Sequence, residues 1–280
     1  MKKLIVLFAV ISLVLAGCQA AQPSQTAQAA SPSAEVSADV SGTAEAHGNY
    51  TDEMKIPYTV DLQEWGADSV ERDGDHVDSP YFSTLDFYNM ESTDTLTILP
   101  KFKTYQQTSE WSCGVAACLM VLDYYGKLGD YDEKTLAEIR SNGLNEEATA
   151  LKDVVKIFET VGGFDIQSTY DFESEAAAGE YMSLDQIQST LKEGKPIIVA
   201  WNDWGGHWET IIGYDTMGTE TTQDDVIIVA DSYDTTDHNQ DGYGVYSAER
   251  FYYNWTMYDF FTKNYSINER DYLFCVVSPQ

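Results

Sequence analysis

The sequence predicts an α+β protein, with a helical half first and a half of short strands second. Two observations carry this reading. Between residues 113 and 194 the apolar positions fall in helix-length runs closed by Gly, and after residue 195 the pattern changes to short β-branched and aromatic runs bounded by turn residues. A third observation sets the scale: 280 residues, 43% hydrophobic and 13% aromatic, are too apolar for a wholly disordered chain and long enough for one or two domains with a sizeable core.

The order of elements begins with an export signal. Lys2 and Lys3 precede an apolar run over 4–15, too short to span a membrane as a mature helix, and Leu15-Ala16-Gly17-Cys18 follows. That run resembles the bacterial lipobox, in which the Cys becomes the lipid-modified first residue, so residues 1–17 are expected to be a lipoprotein signal peptide and Cys18 the lipidation site. Multiple acylation there implies stable anchoring to the bacterial cell membrane, facing outside the cytoplasm. Residues 18–50 are Ala, Ser, Thr, Gln and Gly without Lys or Arg, the composition of a flexible tether. Residues 51–94 mix aromatics with acidic turns such as Asp73-Gly74-Asp75 and read as a loop-rich acidic extension, either wrapped onto the body or partly disordered.

The body, residues 95–280, opens with a short β-branched strand at 95–99 ended by Pro100. Residues 113–125 are apolar nearly all round and stop at Gly126, which describes a buried helix. Further helices are expected at 133–141, at 151–160 after a Thr149 cap, and from Ser183 to 193, where Gln186 completes a capping box. Strands are expected at 196–201, 207–214, 226–230 and 272–277, with one more helix at 247–255. No internal repeat is apparent.

Sixteen basic against 46 acidic residues give a formal charge of −30, and no local basic patch offsets it, so nucleic acid is excluded as a partner. The chemistry lies elsewhere. A thiol is a useful nucleophile only as thiolate, and Cys113 stands at a helix N-terminus, where unsatisfied N–H groups favour that form. Gly114 beside it leaves room for a substrate carbonyl to approach the backbone. A small buried hydrophobe fits Cys113 as well. A thiolate needs an imidazole partner. Of four His, His47 lies in the tether, His76 in the extension and His238 in an Asp-rich turn, which leaves His207 between Gly205-Gly206 and Trp208. An imidazole in turn needs an acceptor on its other nitrogen, and Asp231, ending the run Val226-Ile227-Ile228-Val229-Ala230, is a candidate; a plain strand-ending turn residue fits it too.

The flanks decide between these. Gln107-Thr108-Ser109-Glu110-Trp111-Ser112-Cys113-Gly114-Val115-Ala116-Ala117, leading to Met120-Val121-Leu122-Asp123-Tyr124-Tyr125-Gly126, resembles the active-site helix of the C39 family of papain-like cysteine peptidases. Gly206-His207-Trp208 through Gly213-Tyr214-Asp215 is similar to its His strand, and Val229-Ala230-Asp231 to its Asp strand. The resemblance covers roughly residues 95–280. It implies a papain-like fold with an N-terminal helical half, a C-terminal antiparallel β half and the active site between them. It also implies acyl transfer on a peptide or amide substrate by Cys113, His207 and Asp231, with Gln107 and the Cys113 N–H holding the oxyanion, and no cofactor for catalysis. Water as acceptor makes a peptidase or amidase; an amine makes a transferase, as in the distantly similar phytochelatin synthases. The best-known members are fused to ABC transporters, often carry Asp before the nucleophile, and cut after a double glycine. Here Ser112 takes that place and no transporter segment is expected, so leader-peptide processing is not carried over and the chain resembles the stand-alone secreted branch, expected as a monomer.

Two features stand outside this chemistry. Asp237-His238-Asn239-Gln240-Asp241-Gly242 matches the first half of a calcium loop, with oxygens of Asp237, Asn239 and Asp241 at alternate positions; a twelfth-position Glu is missing, since Ala248 falls there. It suggests structural calcium, or a plain acidic turn. Cys118 and Cys275 are expected in the core, and export permits a disulfide between them without the sequence showing that they meet. Their spacings do not make a zinc site. An alternative of a different class is an inert surface module, in which Trp201, Trp204, Trp208, Tyr252, Tyr253 and Trp255 form a peptide or glycan platform. The co-occurrence of Gln107, Cys113, His207 and Asp231 favours the enzyme.

Overall fold

Short runs of Ile, Val and aromatic residues build the sheet that organises this protein. In chain order the body runs β1 (Leu96–Ile98), α1 (Cys113–Tyr124), α2 (Glu133–Ile139), α3 (Leu151–Val161), β2 (Phe164–Ser168), α4 (Glu175–Tyr181), α5 (Leu184–Lys192), β3 (Ile197–Trp201), β4 (His207–Asp215), β5 (Val226–Ala230), β6 (Tyr243–Ser247), α6 (Ala248–Tyr253) and β7 (Leu273–Pro279). The computed structural model describes residues 52–60, 66–67, 79–234, 239–256 and 269–280. The signal peptide, Cys18, the tether, Asp237 and His238 lie outside the described residues, as do His47 and His76. Among the described residues no helix is long and apolar enough to cross a membrane.

The strands lie in the order β2-β7-β3-β4-β5-β6, every neighbouring pair antiparallel, with β1 against the far end of β4. An antiparallel sheet needs only short connections. Helix α1 packs on β4, and its residues from Cys113 to Leu122 are all buried, as expected of a helix apolar on every side. Helix α3 is amphipathic instead, burying Leu151, Val154, Ile157 and Phe158 along one stripe.

The structure differs from the expected layout in instructive ways. Strand β1 stands before the helices, as expected, but β2 lies among them in sequence and still belongs to the sheet, pairing with β7, so the helical and β halves interleave. Helix α4 was hidden by the interior Gly179. A Cβ there would stand 2.6 Å from the Tyr272 ring, so close packing and not helix propensity chooses the residue. Strand β6 occupies the stretch read as the tail of an acidic loop. Thr149 does not cap α3. Ala150 is the N-cap, the Leu151 N–H donates to Glu269 at 2.9 Å, and the Thr149 hydroxyl accepts from Arg140 at 3.1 Å. Ser183 does cap α5 through the Gln186 N–H, but the Gln186 side chain bonds Thr190 and leaves the box half closed.

Described parts of the extension are integral to this body. Ile56 N donates to Thr104 O at 2.8 Å, Thr104 N to Met54 O at 2.9 Å, and Ala67 N to Gln107 O at 2.9 Å. Met54, Ile56, Ala67, Phe87 and Tyr88 are all buried, so the segment before residue 95 backs the stretch that leads to Cys113.

Candidate active site

Sheet register places the site. Thr210 on β4 pairs with Ala230 on β5, so the next residue outward, Asp231, falls across from Glu209 at the end where β4 starts with His207. His207 Nε2 and Asp231 Oδ1 are 2.7 Å apart, both nearly inaccessible to solvent. The same carboxylate oxygen accepts the Tyr233 N–H at 2.8 Å, an Asx turn that fixes the acid on the chain's exit from β5. With Nε2 spent on Asp231, Nδ1 is the nitrogen left toward Cys113, which lies near enough to help hold the imidazole's proton.

Cys113 is the first residue of α1, 3% exposed, with Ser112 as N-cap. The Ser112 hydroxyl does not cap the helix; it shares the Ser109 hydroxyl at 2.6 Å. The first-turn N–H groups of a helix have no intrahelical acceptor, so they face the thiol's surroundings unspent by the helix itself. Gly114 plays another part than the one expected of it. A Cβ there would lie 2.7 Å from Thr149 Cβ and 3.0 Å from Trp208 Cδ1, so the missing side chain makes room for packing, not for a substrate carbonyl.

Electrostatics follow from burial and neighbours. Burial disfavours the imidazolium, but the charge and hydrogen bond of Asp231, joined by those of Cys113, outweigh it and hold His207 protonated well above the usual imidazole range. Burial likewise pushes Asp231 up, and the facing His207 more than reverses this, leaving it below its ordinary value. Among the described residues His207 is the only histidine.

A third acid was not foreseen. Glu209, two residues after His207 on the same face of β4, is fully buried; its Oε2 accepts from Trp201 Nε1 at 2.9 Å and its Oε1 from the Tyr246 hydroxyl at 3.2 Å. Tyr246 also reaches Asp203 Oδ2 at 3.2 Å. Burial, Asp231 and Asp203 push the Glu209 carboxyl well above the carboxylate range, so one buried acid is neutral beside an ionised one. Strand period two, which puts it on the His207 face of β4, is the signal that could have found it. One ligand-capable atom each of His207, Glu209 and Asp231 lie within 4.8 Å of one another, the one such metal-compatible group among the described residues.

Gln107 is also brought to the site, 1% exposed. Its Nε2 donates to Ser109 O at 2.7 Å and, over a longer 3.4 Å, to Glu110 O, so the amide protons face the loop that leads to Cys113. Its Oε1 accepts from the Ser232 hydroxyl at 2.7 Å. The loop is clamped from below by Glu133, which accepts the Thr108 N–H at 3.1 Å and the Tyr105 hydroxyl at 2.7 Å. Beside it a cavity of about 260 Å³ opens among Val60, Thr108, Ser109, Trp111, Lys134 and Leu144, large enough for a side chain.

A helix-borne thiol, an imidazole from a β strand and a carboxylate from its neighbour are buried together, the last two 2.7 Å apart. Residues 100–262, more than half of the chain, match the Peptidase_C39 like family. The chain belongs to this C39-like family. Membership places it among cysteine peptidases with an α+β, papain-like fold. No curated protein matches the chain. Among solved structures it is similar to the peptidase domain of Streptococcus ComA, a bi-functional ABC transporter involved in quorum sensing, at 19% identity over 64% of this chain and 99% of that one, with TM-score 0.39. A putative C39-like peptidase from Bacillus anthracis shares 15% identity over 67% of this chain and 99% of its own, with TM-score 0.45. A double glycine motif protease from an AMS/PCAT transporter, in complex with the leader peptide, shares 15% over 67% and 96%, with TM-score 0.35.

Other residues of the C39-like domain fall as follows. Cys118 and Cys275 are free, buried thiols, and burial pushes both up, with Cys275 adding to the effect on Cys118. Asn239 and Asp241 are buried in the loop before β6, where Asp241 Oδ1 accepts the Tyr243 N–H at 3.0 Å and Asn239 Nδ2 donates to Thr84 at 3.3 Å. Trp201, Trp208 and Trp255 are core residues and Tyr252 is half-buried, which leaves only Trp204 and Tyr253 of the expected aromatic platform exposed. Trp208 carries the wall behind His207, its indole N–H bound to Thr149 O at 2.8 Å.

Proposed function

We propose that this protein is a surface-anchored thiol hydrolase, a peptidase or amidase, acting by Cys113–His207–Asp231 acyl transfer with Gln107 in the oxyanion site. The observation that supports it most is the buried chain from Cys113 through His207 to Asp231, the last contact at 2.7 Å. In this reading Asp231 keeps His207 cationic, and Cys113 reacts as a thiolate beside it. The thiolate adds to the substrate carbonyl, forming the C–S bond and sending the electron pair to oxygen, where the Gln107 amide and the Cys113 N–H stabilise it. Collapse of that intermediate breaks the C–N bond, with His207 passing its proton to the leaving amine. His207, now neutral, takes a proton from water as it attacks the thioester, and the acid product leaves with the thiolate restored. Burial of most of the aromatic platform gives the inert binding-module reading no support.

The test needs no known substrate. Alkylation of Cys113 by iodoacetamide, followed by peptide mass spectrometry against pH, is expected to be fast well below the free-thiol pKa of about 8.5, and to lose that advantage in His207→Ala. Titration like a free thiol in both proteins refutes the catalytic assignment.

Two further parts of the proposal lie partly or wholly outside the described residues. Cys18 is the lipid anchor, and Cys18→Ala is expected to move the protein from the detergent phase to the aqueous phase of a Triton X-114 partition. Asp237, Asn239 and Asp241 hold a structural calcium. Millimolar calcium is then expected to raise Tm; no shift, together with no effect of Asp241→Ala on the response, ends that reading.

A further inference from the structure

We infer that Ser232 is the positioning residue of the oxyanion site, fixing the Gln107 carboxamide by both its hydroxyl and its backbone. The inference rests on the peptidase reading above. Gln107 is held to Ser232 twice: its backbone N–H donates to Ser232 O at 2.9 Å, and its Oε1 accepts from Ser232 Oγ at 2.7 Å. Ser232 is fully buried, so the contact is not exposed to bulk solvent. A carboxamide has two ends of nearly equal shape, and only its partners choose which end faces where. Here the hydroxyl takes the oxygen, while the Ser109 carbonyl takes the nitrogen at 2.7 Å. Turning the amide over would set Oε1 against the Ser109 carbonyl oxygen, with no proton between them.

The chosen orientation matters for chemistry. Of the two Nε2 contacts, the one to Glu110 O is 3.4 Å, beyond the 2.7–3.2 Å range of a sound N–H···O bond, so its proton is weakly held. That proton is the one a developing oxyanion beside Cys113 takes. Without the Ser232 hydroxyl, Oε1 is a buried acceptor with no donor, and the side chain turns to find one. Ser232 also follows Asp231 directly. One dipeptide thus contacts both groups: Asp231 meets His207 at 2.7 Å and Ser232 meets Gln107 at 2.7 Å. The contact spans 125 residues of sequence and binds the nucleophile loop to the end of β5.

The test uses the full-length protein and two probes. Iodoacetamide alkylation of Cys113 needs the thiolate and no oxyanion donor. N-acetylglycinal forms a hemithioacetal: the C–S bond forms, the carbonyl electron pair goes to oxygen, and the oxyanion donors hold that oxygen; its affinity is read as protection of Cys113 from iodoacetamide. Ser232→Ala is expected to keep the alkylation rate within about twofold and to weaken aldehyde binding by about tenfold, less than the 10²–10³ typical of deleting an oxyanion donor outright. Gln107→Ala weakens it at least as much, and adding Ser232→Ala to Gln107→Ala produces no further loss. Ser232→Thr, which keeps the hydroxyl, restores binding. Unchanged affinity in Ser232→Ala, or losses that add independently, overturns the proposal. So does wild-type protein that alkylates fast yet binds the aldehyde no better than Gln107→Ala. Free-thiol-like alkylation of the wild type instead strikes down the peptidase reading, and the inference with it. Loss of alkylation in Ser232→Ala alone marks a general collapse of the site and also overturns a role confined to Gln107.

Discussion

Asp231→Asn isolates the charge that holds His207. Asparagine keeps the volume, and its oxygen still accepts the Tyr233 N–H, so the 2.8 Å turn contact survives while the 2.7 Å partner of His207 becomes neutral. Both residues are buried, at 1% and 5% exposure, so solvent screens little of the loss. Removing one partner of a buried pair costs about 3–5 kcal/mol when the other charge stays unpaired. Imidazole escapes part of that by releasing its proton, which puts the expected loss near the lower end, about 3 kcal/mol. For a domain of this size that is roughly 6–12 °C in Tm. The loss also has a shape in pH. His207 is raised, so its share is full below the unfolded value of about 6.5 and fades as pH rises through the folded value. Asp231 is lowered, so its share is present above about pH 4 and fades as pH falls through the folded value. The gap between wild type and variant is therefore widest from about pH 4 to 6.5 and closes on either side. Thermal unfolding followed by circular dichroism between pH 3 and about 10 measures it. A gap flat across that range, or one that widens above pH 8, refutes the buried ion pair.

Two other substitutions probe the shell around the pair. Glu209→Gln copies the protonated acid that burial and Asp231 favour, so near pH 4, where the unfolded chain is largely protonated too, its stability stays within about 1 kcal/mol of wild type. Because wild-type folding must keep Glu209 protonated while the unfolded chain ionises it, wild-type stability declines as pH rises from about 4.3 toward the folded value, and the variant gains on it over that span; urea unfolding at pH 5 and 8 checks the sign, and the opposite trend refutes a neutral Glu209. Gly114→Ala forces a Cβ to 2.7 Å from Thr149 Cβ among fully buried neighbours and is expected to cost about 1–3 kcal/mol, with slower alkylation of Cys113. A stable, fully reactive Gly114→Ala protein would return that glycine to the role of clearing space for substrate.

Elements with strong local signals were legible in the sequence. The all-apolar run from Cys113 and the β-branched runs at β3, β4 and β5 appear within a residue or two of where they were expected. What stayed hidden was decided at long range. Helix α4 carries a glycine that only the distant Tyr272 ring explains, and β2 becomes a strand because β7, over a hundred residues later, offers it an antiparallel edge. The N-terminus of α3 breaks local capping logic for the same reason, since its donor finds Glu269 and Thr149 is left to Arg140.

The site divides along the same line. Cys113 and His207 could be singled out as candidates in the sequence because the proposed chemistry needs a helix start and a water-excluding wall, both written in adjacent residues. Glu209 was recoverable from strand period alone. Ser232 was not, because serine after a strand is an ordinary turn residue and its significance lies in Gln107, 125 positions away. This asymmetry follows from how the site is assembled. The groups proposed to react, Cys113 and His207, begin α1 and β4, where local pattern is strong, whereas the groups proposed to aim them, Asp231 and Ser232, are supplied by what the sheet register brings alongside. In this protein β4 and β5 set that register: one residue of slip at Thr210↔Ala230 would turn Asp231 away from His207 and Ser232 away from Gln107 together. The proposed base and the proposed oxyanion donor are thus positioned by one strand pairing, and damage to it is expected to remove both functions at once.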